Sequence, residues 1–158
     1  MDEAKLNQAK AVYQTFCEML DQENWKYTKQ EEEWKITTGA RGEDLPIDLT
    51  INVDVKRSLL MIISPLPFKV PEDKRVDLAA ATCTVNSIFV NGYLDYDVVG
   101  GSLFFRIANS FLDSRIDAET CKYMLYCACS TIDDINDKLL MVCKGMLDLD
   151  KFAELLNK

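Results

Sequence analysis

Histidine, the side chain that most often acts as a general base or a metal ligand, is missing from this 158-residue sequence. Its absence removes every Ser–His and Cys–His arrangement of nucleophilic catalysis. No glycine-rich phosphate loop is present either, because Gly100-Gly101 precedes a predicted strand and not a helix. We therefore expect no catalytic residue, no cofactor and no enzymatic activity.

Six cysteines remain as candidates for metal binding or redox chemistry. A structural zinc site is commonly built from CxxC pairs, and the sequence has none. The closest spacing, Cys127-Ala128-Cys129, places two thiols about 200° apart on a helix that turns about 100° per residue. The first residues do not resemble a signal peptide, and a chain of this length needs no disulfide. We predict reduced, metal-free thiols in the cytoplasm.

Acidic residues cluster at two places that could suggest a cation site. Asp133, Asp134 and Asp137 share the polar side of a predicted helix, and Glu31-Glu32-Glu33 precedes Trp34. Oxygen-only cation sites usually come from loops with a glycine turn. Both clusters are interpreted as solvated surface, and no metal site is assigned.

The net charge of the chain limits the kinds of partner that it can bind. The formal net charge is −8, and no stripe of Lys and Arg is visible. Such a chain repels phosphate backbones and anionic membrane surfaces. The longest strongly apolar run, Leu59 to Ile63, is much shorter than the roughly 20 residues of a membrane-spanning helix. The sequence predicts a protein that binds neither nucleic acid nor membranes.

Four helices are predicted from apolar side chains at spacings of three and four residues. They cover about residues 2–22, 71–90, 117–145 and 148–156, and Asn91-Gly92 is expected to end the second. The third helix carries a heptad-like apolar seam: Cys121, Leu125, Ala128, Ile132, Ile135, Leu139, Val142 and Met146. The seam either packs on the domain's own sheet, which we favour, or forms a dimer interface.

Apolar and polar residues that alternate along the chain predict the strands. Ile47 to Val55 alternates strictly, which is typical of an antiparallel sheet covered on one face. Leu59 to Ile63 is apolar on both faces, which indicates a central strand or an outer face that something covers. Pro65 and Pro67 are expected to end this strand.

A hairpin is predicted around a two-residue turn at Gly100-Gly101. This turn pairs three sets of residues on the apolar face: Leu94 with Ile107, Tyr96 with Phe105, and Val98 with Leu103. On the other face it sets Asp95 opposite Arg106. Arg106 is then either half of a cross-strand ion pair, which we favour, or an anchor for a partner's carboxylate.

The elements follow the order α-β-β-β-β-α-β-β-α-α. Because strands follow strands without an intervening helix, the fold class is α+β, an antiparallel sheet packed with helices. We expect a single domain over residues 1–158.

Read as a whole, the chain resembles the bacterial YbjN-like family, which shares its fold with type III secretion chaperones, and the residues that suggest this run from the second helix onward. The family pattern is an Asn inside a helix, a Gly that closes it, a strand, a turn, and a strand ending in aromatic-Arg. Asn86, Gly92, Phe105 and Arg106 match this pattern. The resemblance implies a secretion-chaperone-like fold, dimers that bind other proteins, and no catalytic residues. Some family members are described as regulators of sensory transduction.

These observations predict a non-catalytic, chaperone-like protein-binding or regulatory module that forms a homodimer. The alternative is a small-ligand sensor with a pocket between sheet and helices. A sheet covered by helices on one side only would leave Leu59, Met61 or their neighbours facing water, and such patches mark interaction surfaces. The candidate partner-binding residues are Tyr93, Phe104, Arg106, Leu59 and Met61.

Overall fold

A computed structural model describes residues 3–156 and shows the predicted order of elements. The four helices are α1 (Glu3–Gln22), α2 (Arg75–Ile88), α3 (Ala118–Cys143) and α4 (Leu149–Leu156). The six strands are β1 (Tyr27–Gln30), β2 (Lys35–Arg41), β3 (Pro46–Asp54), β4 (Leu59–Lys69), β5 (Tyr93–Asp97) and β6 (Ser102–Ser110). The expected start of the first helix at residue 2 lies outside the described residues. The α+β class is confirmed.

The strands form one sheet in the order β1-β2-β3-β4-β6-β5, with every neighbouring pair antiparallel. Alternate residues of β3 to β6, such as Ile51, Ile62 and Phe105, belong to one core cluster. All buried apolar side chains of the helices belong to the same cluster. The helices therefore cover one face of the sheet, and we call the opposite face the outer face.

The heptad-like seam of α3 packs inside this core. Seven of its eight residues are at most 3% exposed: Cys121, Leu125, Ala128, Ile132, Ile135, Leu139 and Val142. The eighth, Met146, lies beyond the end of α3 and is 71% exposed. The helix begins where the sequence predicted, because Asp117 accepts a hydrogen bond from the Thr120 amide at 2.8 Å. The seam is a core stripe and not a dimer interface.

The expectation that Pro65 and Pro67 end their strand was wrong, since β4 continues to Lys69. The pairing of β3 with β4 stops at Ile63, so the proline segment pairs with β6 alone. The register with β6 is irregular between Pro65 and Lys69. A proline is tolerated there because no third strand needs its missing N–H.

The predicted two-residue turn was also wrong, because a four-residue loop, residues 98–101, joins β5 to β6. Asp97 Oδ1 accepts hydrogen bonds from the amides of Val99 (3.1 Å) and Gly100 (2.9 Å). Gly101, with φ +72°, donates its amide to the Asp97 carbonyl at 2.7 Å. The longer loop shifts the register by two residues, and a shift of two leaves every side chain on its predicted face.

Candidate protein-interaction surface

Asn86, on α2, binds the free edge of β5. Its Nδ2 donates to the Leu94 carbonyl at 3.0 Å, and its Oδ1 accepts from the Leu94 amide at 2.8 Å. These are the backbone groups that an edge strand would otherwise leave open to another chain. The side chain therefore ties α2 to the sheet and closes one position of its edge.

Gly92 lets the chain turn from α2 into β5 directly over Phe105. Its φ is +81°, a conformation that favours glycine. A Cβ at this position would clash with the Phe105 ring and lie 3.1 Å from the Arg106 carbonyl oxygen. Phe105 is fully buried and packs edge-on against Phe89, with ring centroids 6.1 Å apart. Asn86, Gly92 and Phe105 thus fix the start of β5 on the core side.

Arg106 follows Phe105 and lies on the outer face. Its guanidinium forms an ion pair with Asp95 and lies 5.8 Å from the centroid of the Tyr93 ring. The prediction that Asp95 lies directly opposite Arg106 was wrong: the register places Tyr93 there, and Asp95 is the diagonal neighbour. The Arg106 and Asp95 side chains are 37% and 36% exposed, so the charged pair remains in contact with water.

Apolar side chains surround this pair on the outer face of the central strands. The register sets Pro65 opposite Phe104 and Ile63 opposite Arg106. A shallow depression of about 430 Å³ lies between β4 and β6, lined partly by Pro65, Pro67 and Phe104. We define the outer-face strip by these seven residues: Leu59, Met61, Ile63, Pro65, Tyr93, Phe104 and Arg106.

All five predicted partner-binding residues lie in the outer-face strip, but they differ in exposure. Tyr93 is 42% exposed, and Leu59 and Phe104 are half-buried. Met61 does not face water as expected: it is only 8% exposed, although it lies outside the core cluster. Its neighbours across the sheet, Asn52 and Ala108, flank it on both sides. The strip is a half-buried apolar surface, less open than the sequence suggested.

Sequence reasoning missed Ile63 and Pro65 as members of the strip. The signal was the alternation of β4, in which every second residue from Leu59 to Pro67 is apolar on the outer face as well. Because Pro65 was expected to end the strand, the apolar alternation was not followed beyond it. The Asp cluster of α3 was also read too simply: Asp133 Oδ1 accepts a hydrogen bond from the Glu43 amide at 2.8 Å and holds the β2–β3 loop.

A cleft of about 350 Å³ lies between α1 and the β1–β2 end of the sheet, where the small-ligand alternative would need a pocket. Its lining includes Tyr13, Cys17 and Trp34. The Tyr13 and Trp34 rings meet edge-on with centroids 5.8 Å apart. Burial raises the pKa of Tyr13 to about 12, with further increases from Cys17 and Glu31. The cleft opens to solvent.

The cysteines and acids form no metal cluster within residues 3–156, where no three His, Cys, Asp or Glu side chains are grouped to hold an ion. All six cysteines are free, and Cys83 is exposed. Burial raises the pKa of Cys121 to about 12 and that of Cys129 to about 11, so both favour the thiol form. Among the described helices, none has the length and apolarity to cross a membrane.

Chains similar to this one are found among solved structures. YbjN from E. coli, described as a candidate transcription regulator, is 13% identical with a TM-score of 0.60, covering 84% of this chain and 92% of that one. A chain of the ExsC–ExsE complex is 14% identical with a TM-score of 0.57, and the match covers 89% of this chain and 97% of that one. A chain of the HopA1–SchA chaperone–effector complex is 14% identical with a TM-score of 0.47, and the match covers 92% of this chain and 97% of that one.

These likenesses confirm the expected fold, which is that of YbjN and of secretion chaperones. At such low identity they show the fold alone. The sequence matches no protein-family model and none of the curated proteins with which it was compared.

Proposed function

We propose that this chain is a non-catalytic, chaperone-like protein-binding or regulatory module, and that it binds a partner protein through the outer-face strip. The observation that carries the proposal is the apolar outer face of β4, where Leu59, Met61 and Ile63 lie on the side that the helices leave uncovered. In an antiparallel sheet with one solvated face, polar residues are expected at these positions. An apolar surface there fits a protein partner.

The centre of the strip has the composition of an interface. Tyr93 and Arg106 belong to the residue types enriched at protein–protein contacts, and Phe104 lies beside them. A partner that covers the strip would exclude water from the Asp95–Arg106 pair, which strengthens the Coulomb attraction between the two charges and also costs their desolvation. The ExsC–ExsE structure, a complex of two proteins with this fold in one of them, supports a binding role.

The proposal includes a homodimer in the bacterial cytoplasm. Twofold pairing is the commonest way in which a soluble chain covers surplus apolar surface. The cytoplasmic location rests on the six free cysteines, because reduced thiols are typical of that compartment. Intact-mass measurement after alkylation in denaturant should count six free thiols.

The test compares partner capture by three tagged forms expressed in the native cell. Phe104→Glu places a charge in the strip, and Thr28→Glu places the same charge on exposed β1 at the polar end of the outer face. We expect the wild type and Thr28→Glu to retain the same proteins, identified by mass spectrometry, and Phe104→Glu to lose them. Identical capture by all three forms would contradict the proposal.

The cleft beside α1 favours a second candidate, a small-ligand sensor. Its wall of Tyr13 and Trp34 offers aromatic contact, and Lys10 and Glu18 supply charges of both signs. A metabolite that binds there should raise the melting temperature of the wild type and not of Trp34→Ala. If such a ligand is found while Phe104→Glu still captures every partner, the sensor becomes the primary function.

A further inference from the structure

Two polar side chains are buried in the apolar layer between the sheet and the helices. Asn136, on α3, and Ser64, on β4, are both 0% exposed. Within residues 3–156, neither the two polar atoms of the Asn136 amide nor the Ser64 hydroxyl has a hydrogen-bond partner. Buried polar atoms of folded proteins are nearly always paired, because an unpaired one loses its hydration without compensation. The two side chains therefore need a ligand that both donates and accepts hydrogen bonds.

Ser64 lies where two neighbouring strands of the sheet separate. The pairing of β3 with β4 stops at Ile63, although β4 continues to Lys69. We call the two segments beyond this point, residues 46–49 of β3 and 64–69 of β4, the fork. Ser64 is the first residue of β4 in the fork, and its side chain lies on the inner face, as alternate residues of β4 do. The backbone groups that face each other across the fork form no ladder and add to the polar atoms there.

Helix α3 covers the fork from the inner side. Near its middle, Asp133 Oδ1 accepts a hydrogen bond from the Glu43 amide of the β2–β3 loop at 2.8 Å. At its end, the Cys143 thiol donates to the Lys69 carbonyl at the end of β4, with 3.7 Å between the two atoms. Asn136 lies between these two contacts along the helix, and α3 contacts both β3 and β4. The Asn136 amide is therefore buried close to the gap between the two strands.

We propose that the fork is an internal hydration site, in which Asn136 and Ser64 bind ordered water beneath α3. Water fits these ligands because it donates and accepts at once, and a buried water typically makes about three hydrogen bonds to otherwise unpaired groups. An ion does not fit, because both ligands are uncharged and a buried charge must be paired. Asp133, about one turn before Asn136, already accepts the hydrogen bond from the β2–β3 loop. The site lies on the inner face and does not depend on the partner binding proposed for the outer-face strip.

The sign of a stability change distinguishes a hydrated site from a dry one. Leu has nearly the shape of Asn, so in a dry core Asn136→Leu would remove two unpaired polar atoms and raise the urea midpoint of unfolding. In a hydrated site the same substitution takes a ligand from the bound water, and we expect the midpoint to fall. Asn109→Leu, at an exposed position of β6, is the matched control and should leave the midpoint nearly unchanged.

A double-mutant cycle tests whether the two side chains share the water. Ser64→Ala should also lower the urea midpoint, because it removes the second ligand. The double variant Ser64→Ala, Asn136→Leu should lose less than the sum of the two single losses, since either substitution alone already disrupts the same bound water. Strictly additive losses would overturn the shared site.

Nuclear Overhauser effects between water and side-chain amide protons detect the bound water directly in the ¹⁵N-labelled wild type. The Asn136 amide protons should show the sign typical of a long-lived bound water, and those of the exposed Asn109 should show only rapidly exchanging surface water. Asn136→Leu assigns the Asn136 signals by removing them. The absence of long-lived water at Asn136 would overturn the proposal, and so would a higher urea midpoint in Asn136→Leu. If Asn136→Leu does not fold, Asn136→Ala assigns the signals and the wild-type spectrum decides.

Discussion

The outer face of the sheet has two halves that differ in chemistry, although the helices cover neither. The half formed by β1, β2 and β3 carries polar side chains on this face: Lys35, Thr37, Asp48, Thr50 and Asn52. The half formed by β4, β6 and β5 carries the outer-face strip, whose charged residue Arg106 is paired with Asp95, and the other members of the strip are apolar or aromatic. The polar side chains of the first half can be hydrated directly, so this half of the face needs no protein to cover it.

The difference between the halves shows which residues the fold does not require. Both halves rest on the same core, and β3 has an apolar residue at every second position, from Ile47 to Val53, on the inner face. The polar outer half shows that such a sheet forms without apolar residues on its second face. The apolar residues of β4 and β6 on this face are therefore interpreted as binding residues. Substitutions on the two faces should separate an effect on binding from an effect on stability.

The two adjacent phenylalanines of β6 give the largest expected contrast. Phe105 is fully buried on the core side, and Phe105→Ala should lower the free energy of unfolding by about 3–5 kcal/mol. Phe104 is half-buried on the outer face, and Phe104→Ala should cost only about 1 kcal/mol. Urea unfolding of both variants measures the difference. Equal losses would mean that the outer face is as much core as the inner one.

Asn86→Ala should have the next largest effect. It removes both hydrogen bonds to Leu94 and leaves these backbone groups without that partner. The expected loss is about 1–2 kcal/mol of unfolding free energy. Asn109→Ala is the matched control, because Asn109 is exposed on β6, and it should change stability by less than about 0.5 kcal/mol. If the two losses are the same, Asn86 does not anchor β5.

Arg106→Ala should separate binding from stability. The Asp95–Arg106 pair is more than a third exposed, so its loss should cost under about 1 kcal/mol. Partner capture should nevertheless fall. Lys151→Ala breaks the exposed pair with Asp148 at the start of α4, away from the outer face, and should leave capture unchanged. A stability loss of several kcal/mol in Arg106→Ala would place the pair in the structural core and count against a binding role.

Tyr13→Phe should have the smallest effect at neutral pH, since the hydrogen bond from the Tyr13 hydroxyl to the Lys35 carbonyl is long, at 3.4 Å. The folded protein holds the pKa of Tyr13 at about 12 instead of its ordinary 10. The unfolded chain therefore loses this proton first as the pH rises, and stability falls between pH 10 and 12. The variant should show a shallower fall in that range by urea unfolding. If the variant and the wild type have the same pH profile, burial does not raise the pKa of Tyr13 in the folded protein.

Local periodicity was sufficient to predict most of the fold. The strict alternation of Ile47 to Val55 and the seam of α3 each depend on one element that buries one side. The faces of the hairpin were also predictable, because an error of two residues returns every side chain to the same face. This is why Tyr93, Phe104 and Arg106 were found together on the outer face.

Features that depend on neighbours distant in sequence were not predictable. The length of the β5–β6 loop is a different case, because the Asp97 side chain accepts hydrogen bonds from the amides of residues 99 and 100, which is a local turn signal. The extension of β4 through Pro65 depends on the pairing of β3 ending at Ile63. The burial of Met61 depends on the residues that the register places beside it. The extension of β4 and the burial of Met61 need the three-dimensional arrangement of two or more strands.

Methyl NMR of Ile62 and Ile63 tests the central claim most directly. These neighbours lie on opposite faces of β4: Ile62 is fully buried in the core and Ile63 is half-buried in the outer-face strip. When a captured partner is added to the labelled protein, the account predicts that the methyl signals of Ile63 and Met61 shift or broaden while those of Ile62 stay in place. Shifts confined to Ile88 or Ile36, with Ile63 unchanged, would contradict it.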